Sequence, residues 1–429
     1  VNRYVENLNH VKYEERLRAI TQLEREIENG KIEKPNSGGY INNHIHTWYS
    51  FSPYSPTRAV WEAYVAGLDT AGIVDHDNAA GAFEFIEAGE IVGIATTVGM
   101  ECRADFSDTP LKGKRLNHPD QLSAAYVVIH GIPHNRIEET NNFFKASINE
   151  RSKRTKKMTE LISAYLKQWG ITLSYESDVV PISKLEEGGT ITERHLLFAA
   201  ATKLTERFGR GKHLVSFITD ELKLNIPTKI ESYLTDSNNP FYKYDLLGLL
   251  KSDFLERFYI PATTECYPVA RVIDFANQIH AIPAYAYLGD IEESVTGDKK
   301  AQKFEDSYLE ELFETIIKLG FKAVTYMPSR NTEKQIERVS GLCERYNLMQ
   351  ICGEDINSPR QSFVGKAITA DKYPLLVDST WALIAHEQLA TEDEKNALFS
   401  RETISKYPNL SERIEIFAKR GKNMNGGKK

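Results

Sequence analysis

Seven short apolar runs most limit what this chain can fold into: Tyr40–Ile45, Ala71–Val74, Ile94–Val98, Ala125–Ile129, Ile279–Tyr285, Phe321–Tyr326 and Leu348–Cys352. Their length and β-branching read as strands rather than pieces of helix. Helical patterns lie between several of them, such as Pro56–Ala66 before the second and Ser307–Leu319 before the sixth. Alternating strands and helices imply parallel pairing, because a parallel crossover must travel back along the sheet. Seven such units suit an α/β barrel.

The remainder of the chain is helical in pattern. Val11–Glu28 reads as an amphipathic helix presenting Val11, Leu17, Ile20, Leu23 and Ile27, ended by Gly30 and a loop at Pro35–Gly39. The expected division is therefore an N-terminal helical extension at 1–37, a barrel built from 38–137 and 260–370, a mostly helical insertion at 138–259, and a C-terminal helical region and tail at 371–429. Within the insertion, the basic run Arg151–Lys157 opens a helix and reads as a solvated face rather than a phosphate or nucleic-acid patch.

A chain of 429 residues is long enough for two or three domains and needs no staples to fold. Lysine and arginine number 53 against 60 acidic residues, a net charge of −7 that argues against a bulk nucleic-acid footprint. The four cysteines form no C-x-x-C pair. No apolar run approaches the ~18 residues of a membrane span, and the first residues are charged throughout. The expectation is a soluble, cytoplasmic protein acting on a small molecule, with neither nucleic acid nor membrane as partner.

Chemistry gathers at the ends of the expected strands. His44 and His46 close the first, and their i, i+2 spacing turns both rings to one face. Asp75-His76-Asp77 follows the second, Glu101 the third, His130 the fourth and Glu354-Asp355 the last. Parallel barrel strands end at one rim, where such residues converge. Imidazole nitrogen and carboxylate oxygen suit Zn²⁺, Mn²⁺ or Fe²⁺, one or two ions per chain. Each piece alone has an ordinary structural reading; five strand ends in succession are harder to dismiss.

Asn43-His44-Ile45-His46-Thr47, Val74-Asp75-His76-Asp77, Gly99-Met100-Glu101, Val128-Ile129-His130-Gly131 and Gly353-Glu354-Asp355 together resemble the successive motifs of the PHP (polymerase and histidinol phosphatase) superfamily. Arg151, Arg154 and Met158 resemble its arginine-rich helix, and Glu193-Arg194-His195 its Arg-x-His segment, with Glu193 in the usual arginine position. The resemblance covers Tyr40 to Pro359. It implies a distorted seven-stranded (β/α) barrel of PHP type with a helical insertion and flanking helices, and a metal-dependent phosphoesterase. His44, His46, Glu101 and Asp355 would hold one ion; Glu101, His130 and His195 could hold a second. Asp75 and His76 would act catalytically, beside the metals or at the leaving group. The chain departs from the pattern where Phe51, Tyr285, Asn357 and Thr325 replace metal-type residues, and Phe51 and Asn357 both fall on the third metal site.

Substrate contacts are expected from Arg330, which could take an anionic group, from Tyr285 and Asn357, and from His134, which could reach back across a short turn or simply be a surface histidine. Three readings follow. The leading one is a phosphoesterase on a small phosphorylated molecule, using a metal-activated water. The second keeps the metal but turns to a non-phosphorylated organic or sugar substrate, suggested by Trp48, Tyr49, Phe51, Tyr54 and Tyr285 at the rim. The third is a degenerate scaffold or binding module.

Overall fold

The computed structural model describes residues 2–291, 302–365, 368–369 and 371–425. Its strands are β1 (Tyr40–Ile45), β2 (Leu68–His76), β3 (Ala95–Asp105), β4 (Ala124–His130), β5 (Tyr267–Pro268), β6 (Ile282–Ala286), β7 (Ala323–Tyr326) and β8 (Met349–Cys352). They form one curled mixed sheet in the order β1-β2-β3-β4-β6-β7-β8, with the two-residue β5 paired to β3. Each of the seven apolar runs supplies one of the seven main strands.

The parallel expectation fails at one place. β4 runs antiparallel to both neighbours, β3 and β6. The connection from Asp105 to Ala124 contains turns but no helix, so β3 and β4 pair as a long hairpin and no crossover returns the chain. The sheet is a half-barrel rather than a closed ladder. Its outer strands approach through the bridge Ile45–Ile356 and through Asn43 Nδ2, which donates to the Cys352 carbonyl at 2.9 Å.

One row of paired residues crosses the concave face: Glu101, Val128, Ala284, Ala323 and Met349. Away from Glu101 that row is apolar, and the helix Pro374–Glu392 packs on it through Ala382, Leu383 and Ala385. This segment was expected to flank the barrel; instead it fills the open side. Burial on every side explains why its sequence is apolar all round instead of striped. The helix Leu410–Asn425 backs it closely enough that a Cβ at Gly421 would strike the Trp381 carbonyl.

The insertion has its own core, including Met158, Ile162, Leu196, Leu204, Leu246 and Phe254. Its leading helix spans Ile137–Leu166. The basic run on that helix is not simply a solvated face: Arg151 and Arg154 are buried among carboxylates, while Lys153 and Lys156 stay outside. After a short helix at Asn2–Asn7, the expected amphipathic helix covers Tyr13–Glu28 and buries Ile20, Leu23 and Ile27; Val11 lies outside it and is 74% exposed. Arg16, also buried, is bonded to Glu84 of the helix Ala82–Val92 by Nε to Oε1 at 2.7 Å and Nη2 to Oε2 at 2.5 Å. Among the described residues, no helix is long and apolar enough to cross a membrane.

Candidate metal centre

β1 carries one residue more than β2 between the pairs Asn42–Ala71 and Ile45–Ile73. That bulge re-aims the strand end just where His44 stands. Gly353, after β8, gives His44 room, since a Cβ there would lie 2.7 Å from the His44 Cβ and backbone N. β2 and β3 run in register, placing His76 beside Glu101.

Three imidazoles converge on one carboxylate oxygen. Glu101 Oε1 lies 3.2 Å from His76 Nδ1, 3.4 Å from His46 Nε2 and 3.7 Å from His44 Nε2. His46 Nε2 also lies 3.2 Å from Asp355 Oδ1. Ligand atoms of His44, His46 and Glu101 all fall within 4.8 Å of one another, and they are the group of this kind found among the described residues. His76 Nδ1 is buried without a hydrogen bond. A buried polar atom of this sort calls for a missing partner, and a divalent cation fits nitrogen and carboxylate donors alike.

The electrostatics agree with a cation site. Burial alone would lower the His46 pKa, but Asp355, Glu101 and Asp75 together raise it. Burial would raise that of Asp355, yet His46 and His44 hold it well below the usual carboxylate range. His76 is driven well below an ordinary histidine by burial and then by the positive His46, Arg151 and Arg103, so it stays a neutral donor.

The other expected residues divide by position. Asp75 is fully buried and faces the β1 loop, accepting from Thr47 N at 2.7 Å, Thr47 Oγ1 at 2.5 Å and Ser50 Oγ at 2.6 Å. Ser50 Oγ is in turn 3.2 Å from His46 Nδ1, so Asp75 orients a histidine through a hydroxyl. Asn357 Nδ2 donates to Asp355 Oδ1 at 2.6 Å. His130 shares the concave face with Glu101, but the antiparallel course of β4 pairs it with Ile282, one step below the Glu101–Val128 row and away from the rim. Burial and His44 take its pKa down to about 3.

His195 begins the helix Glu193–Phe208 inside a capping box, where its Nδ1 accepts the Thr192 N–H at 3.0 Å. The neutral ring then carries its proton on Nε2, which leaves no lone pair for an ion. Phe51 sits edge-on to His195 with centroids 5.0 Å apart, at a backbone φ of 139°. Conformations of this kind cost a non-glycine residue about 1–3 kcal/mol.

Two of the expected substrate contacts, Tyr285 and His134, lie elsewhere. Tyr285 pairs with Val127 and so faces away from Glu101; fully buried, it donates to Glu305 Oε1 at 3.0 Å. His134 lies at the opposite end of the sheet, 3.4 Å from Glu387 Oε2, beside a cavity of about 280 Å³ also lined by Ala95 and Thr96. It replaces no rim ligand. Arg330 is half-buried in the turn after β7, next to Ser329, whose hydroxyl donates to Glu354 Oε2 at 2.5 Å. The aromatic mouth is not open either: Tyr49 and Phe51 are buried, and the Trp48 ring lies between Arg16 and Lys184, at 4.8 and 4.4 Å.

Sequence reasoning missed the charge network beside the rim. Arg103 Nη2 binds both Glu193 oxygens at 2.7 and 2.8 Å, and its Nη1 binds Glu265 at 2.9 Å. Arg154 joins Glu193 and Glu265 at 2.5 Å each, and Arg151 joins Asp77 at 2.5 Å and Glu193 at 3.2 Å. Arg103 also donates to Tyr126 at 3.3 Å, whose ring lies 5.8 Å from that of His76. Glu265 precedes a two-residue strand, a signal too short to read from periodicity.

The fold and its rim define an α/β half-barrel with a histidine–carboxylate centre, and a solved structure shares that fold. A provisionally named metal-dependent phosphoesterase from Bifidobacterium adolescentis superposes with a TM-score of 0.51 at 20% identity, over 80% of this chain and 96% of its own. An amidohydrolase from Chromobacterium violaceum gives a TM-score of 0.48 at 14% identity, over 76% of this chain and 90% of its own. No family model matches the sequence, and no curated protein does.

Proposed function

We propose that the protein is a metal-dependent hydrolase of PHP type acting on a small molecule. The observation that carries this reading is the meeting of His44, His46 and His76 on Glu101 Oε1, with Asp355 against His46. His44, His46, Glu101 and Asp355 would hold the ion, with His76 beside it. A divalent cation held there supplies Lewis acidity and brings the pKa of water toward ~7. The chain's own groups do the rest. Asp75, through Ser50, fixes the His46 ring so that Nε2 points to the centre, and Asn357 fixes Asp355. His76, held neutral by burial and the neighbouring positive groups, would steady the water by hydrogen bonding rather than take its proton.

A phosphate monoester is the leading substrate class. A non-phosphorylated substrate is the second reading, favoured by one observation: Arg103, Arg151 and Arg154 are all neutralised by Asp77, Glu193 and Glu265 and offer no charge to a phosphate. The test is plasma mass spectrometry on protein purified without chelator, beside His44→Ala and Glu101→Ala, followed by a screen of phosphate monoesters against ester, amide and sugar substrates. One or two equivalents of Zn, Mn or Fe, lost in both variants, supports the hydrolase. A parent that takes up no metal after reconstitution overturns it and leaves the scaffold reading.

A further inference from the structure

One aromatic wall adjoins the metal centre. A row of rings leads away from it along the concave face. His46 and His76 have centroids 4.7 Å apart, His76 and Tyr126 5.8 Å, and Tyr126 and His118 5.2 Å, the last two nearly parallel at 9°. Register explains the placement. Tyr126 of β4 stands opposite Arg103 of β3, two residues beyond Glu101 and therefore on the same face, on the rim side. It is half-buried, as are His44, His76 and Asp355 of the centre, and so keeps contact with solvent. Its ring contact with His76, whose Nδ1 is 3.2 Å from Glu101 Oε1, puts Tyr126 within the span of one small substrate.

The Tyr126 side chain is held in place by the chain itself. Asn117 clamps its peptide on both sides, taking the Tyr126 N–H on Oδ1 at 2.6 Å and donating from Nδ2 to the Tyr126 carbonyl at 2.9 Å. The next residue, His118, stacks on the Tyr126 ring from that anchor. Arg103, itself fixed by Glu193 and Glu265, donates from Nε to the Tyr126 hydroxyl at 3.3 Å. This bond uses the phenol oxygen as acceptor and turns its proton elsewhere. Among the described residues, no group accepts that proton. His118 has the same imbalance. Its Nδ1 accepts the Asp120 N–H at 3.2 Å, so the ring, kept neutral by burial, carries its proton on Nε2, which is buried without a partner. Two neutral donors in adjoining rings with no acceptor call for an oxygen from outside the chain.

We propose that Tyr126 is a substrate-binding residue of the rim, its hydroxyl donating a hydrogen bond to an oxygen of the substrate held at the metal centre: a phosphoryl oxygen, or the carbonyl-type oxygen of a non-phosphorylated substrate. The assignment deepens the hydrolase reading and rests on it for the metal-bound substrate. A neutral donor selects a directed lone pair rather than net charge, which suits a wall whose arginines are already balanced by Asp77, Glu193 and Glu265. Arg103 acts on the substrate only through the phenol that it orients.

Two non-hydrolysable probes that share a phenyl group separate the oxygen sources: phenylphosphonate and benzohydroxamate. Each is titrated calorimetrically into the full chain as parent, Tyr126→Phe and Tyr285→Phe, with and without added Mn²⁺, and metal content is read on the same samples. Tyr126→Phe keeps the ring beside His76 and His118 and removes only the donor. It should weaken at least one probe about 10-fold, as expected for a hydrogen bond to a charged group, with metal content unchanged. Tyr285→Phe loses its hydroxyl on the other face of the sheet and should bind as the parent does. A loss confined to phenylphosphonate assigns the phosphoryl oxygen, and one confined to benzohydroxamate the carbonyl-type oxygen. Equal affinity of parent and Tyr126→Phe for both probes overturns the assignment, as does a parent that binds neither, or a loss that comes with an equal loss of metal. Tyr126-dependent binding by a parent that holds no metal would support Tyr126 while overturning the hydrolase reading. A metal-loaded parent whose affinities ignore Tyr126 would overturn the assignment alone, so the two failures are distinguishable.

Discussion

Replacing Glu193 by Ala removes the carboxylate on which three buried guanidiniums converge. In the parent, Arg103, Arg151 and Arg154 are balanced by Asp77, Glu193 and Glu265, and Glu193 alone receives two bonds from Arg103, one from Arg154 and one from Arg151, at 2.5–3.2 Å. Its pKa lies well below the usual range: burial would raise it, but the three arginines together lower it. Losing it leaves one uncompensated positive charge among groups that are no more than 7% exposed. Breaking a buried pair in this way costs about 3–5 kcal/mol. The assay is urea unfolding followed by far-UV circular dichroism, beside a Glu193→Met/Arg154→Met double variant that removes one charge of each sign. The double variant should be less destabilised than the single one, because no unpaired charge remains. The pH dependence has a definite sign. A depressed carboxylate stabilises fully above its unfolded value of about 4.3, so the gap between parent and Glu193→Ala should be constant at neutral pH and shrink as pH falls below that value. A single-variant loss under about 1 kcal/mol, or a double variant no better than the single, would refute the charge-balance argument.

His46→Ala should abolish metal retention in plasma mass spectrometry while His134→Ala leaves it intact, because His134 lies at the far end of the sheet; metal loss in both would contradict that placement. Tyr285→Phe should cost about 1 kcal/mol through the lost bond to Glu305 and leave activity unchanged, as read by thermal unfolding and turnover; a collapse of turnover would mean that Tyr285 reaches the substrate. Burial pushes the Glu387 carboxyl up to about 7. A folded state that keeps this proton loses stability as pH rises from about 4.5 to 7, so Glu387→Gln should gain on the parent across that window in paired urea titrations. An unchanged difference between pH 5 and pH 8 would show that the group titrates normally.

The local part of this protein is legible along the chain. Each apolar run forms a strand because its length and pattern favour extended chain, and the i, i+2 spacing of His44 and His46 turns both rings toward one centre, which the β1 bulge, Gly353 and the Ser50 hydroxyl then shape. Glu101 and Asp355 were legible as residues following expected strands, although β3 continues past Glu101 to Asp105. Register and direction come from long-range packing and leave no mark along the chain. The helix-free link between Asp105 and Ala124 turns β4 round, which carries His130 below the Glu101 row and puts Tyr126 beside Arg103. A one-residue alternation sends Tyr285 out of the concave face, where Glu305 takes its hydroxyl. The helix Pro374–Glu392 fills the half-barrel rather than flanking it, a placement that its unstriped apolar sequence permits but does not dictate. Charge pairing across long separations was equally hidden. Arg103, Arg154, Glu193 and Glu265 meet only because a strand, two helices and a loop converge, and no spacing along the chain records that they neutralise one another.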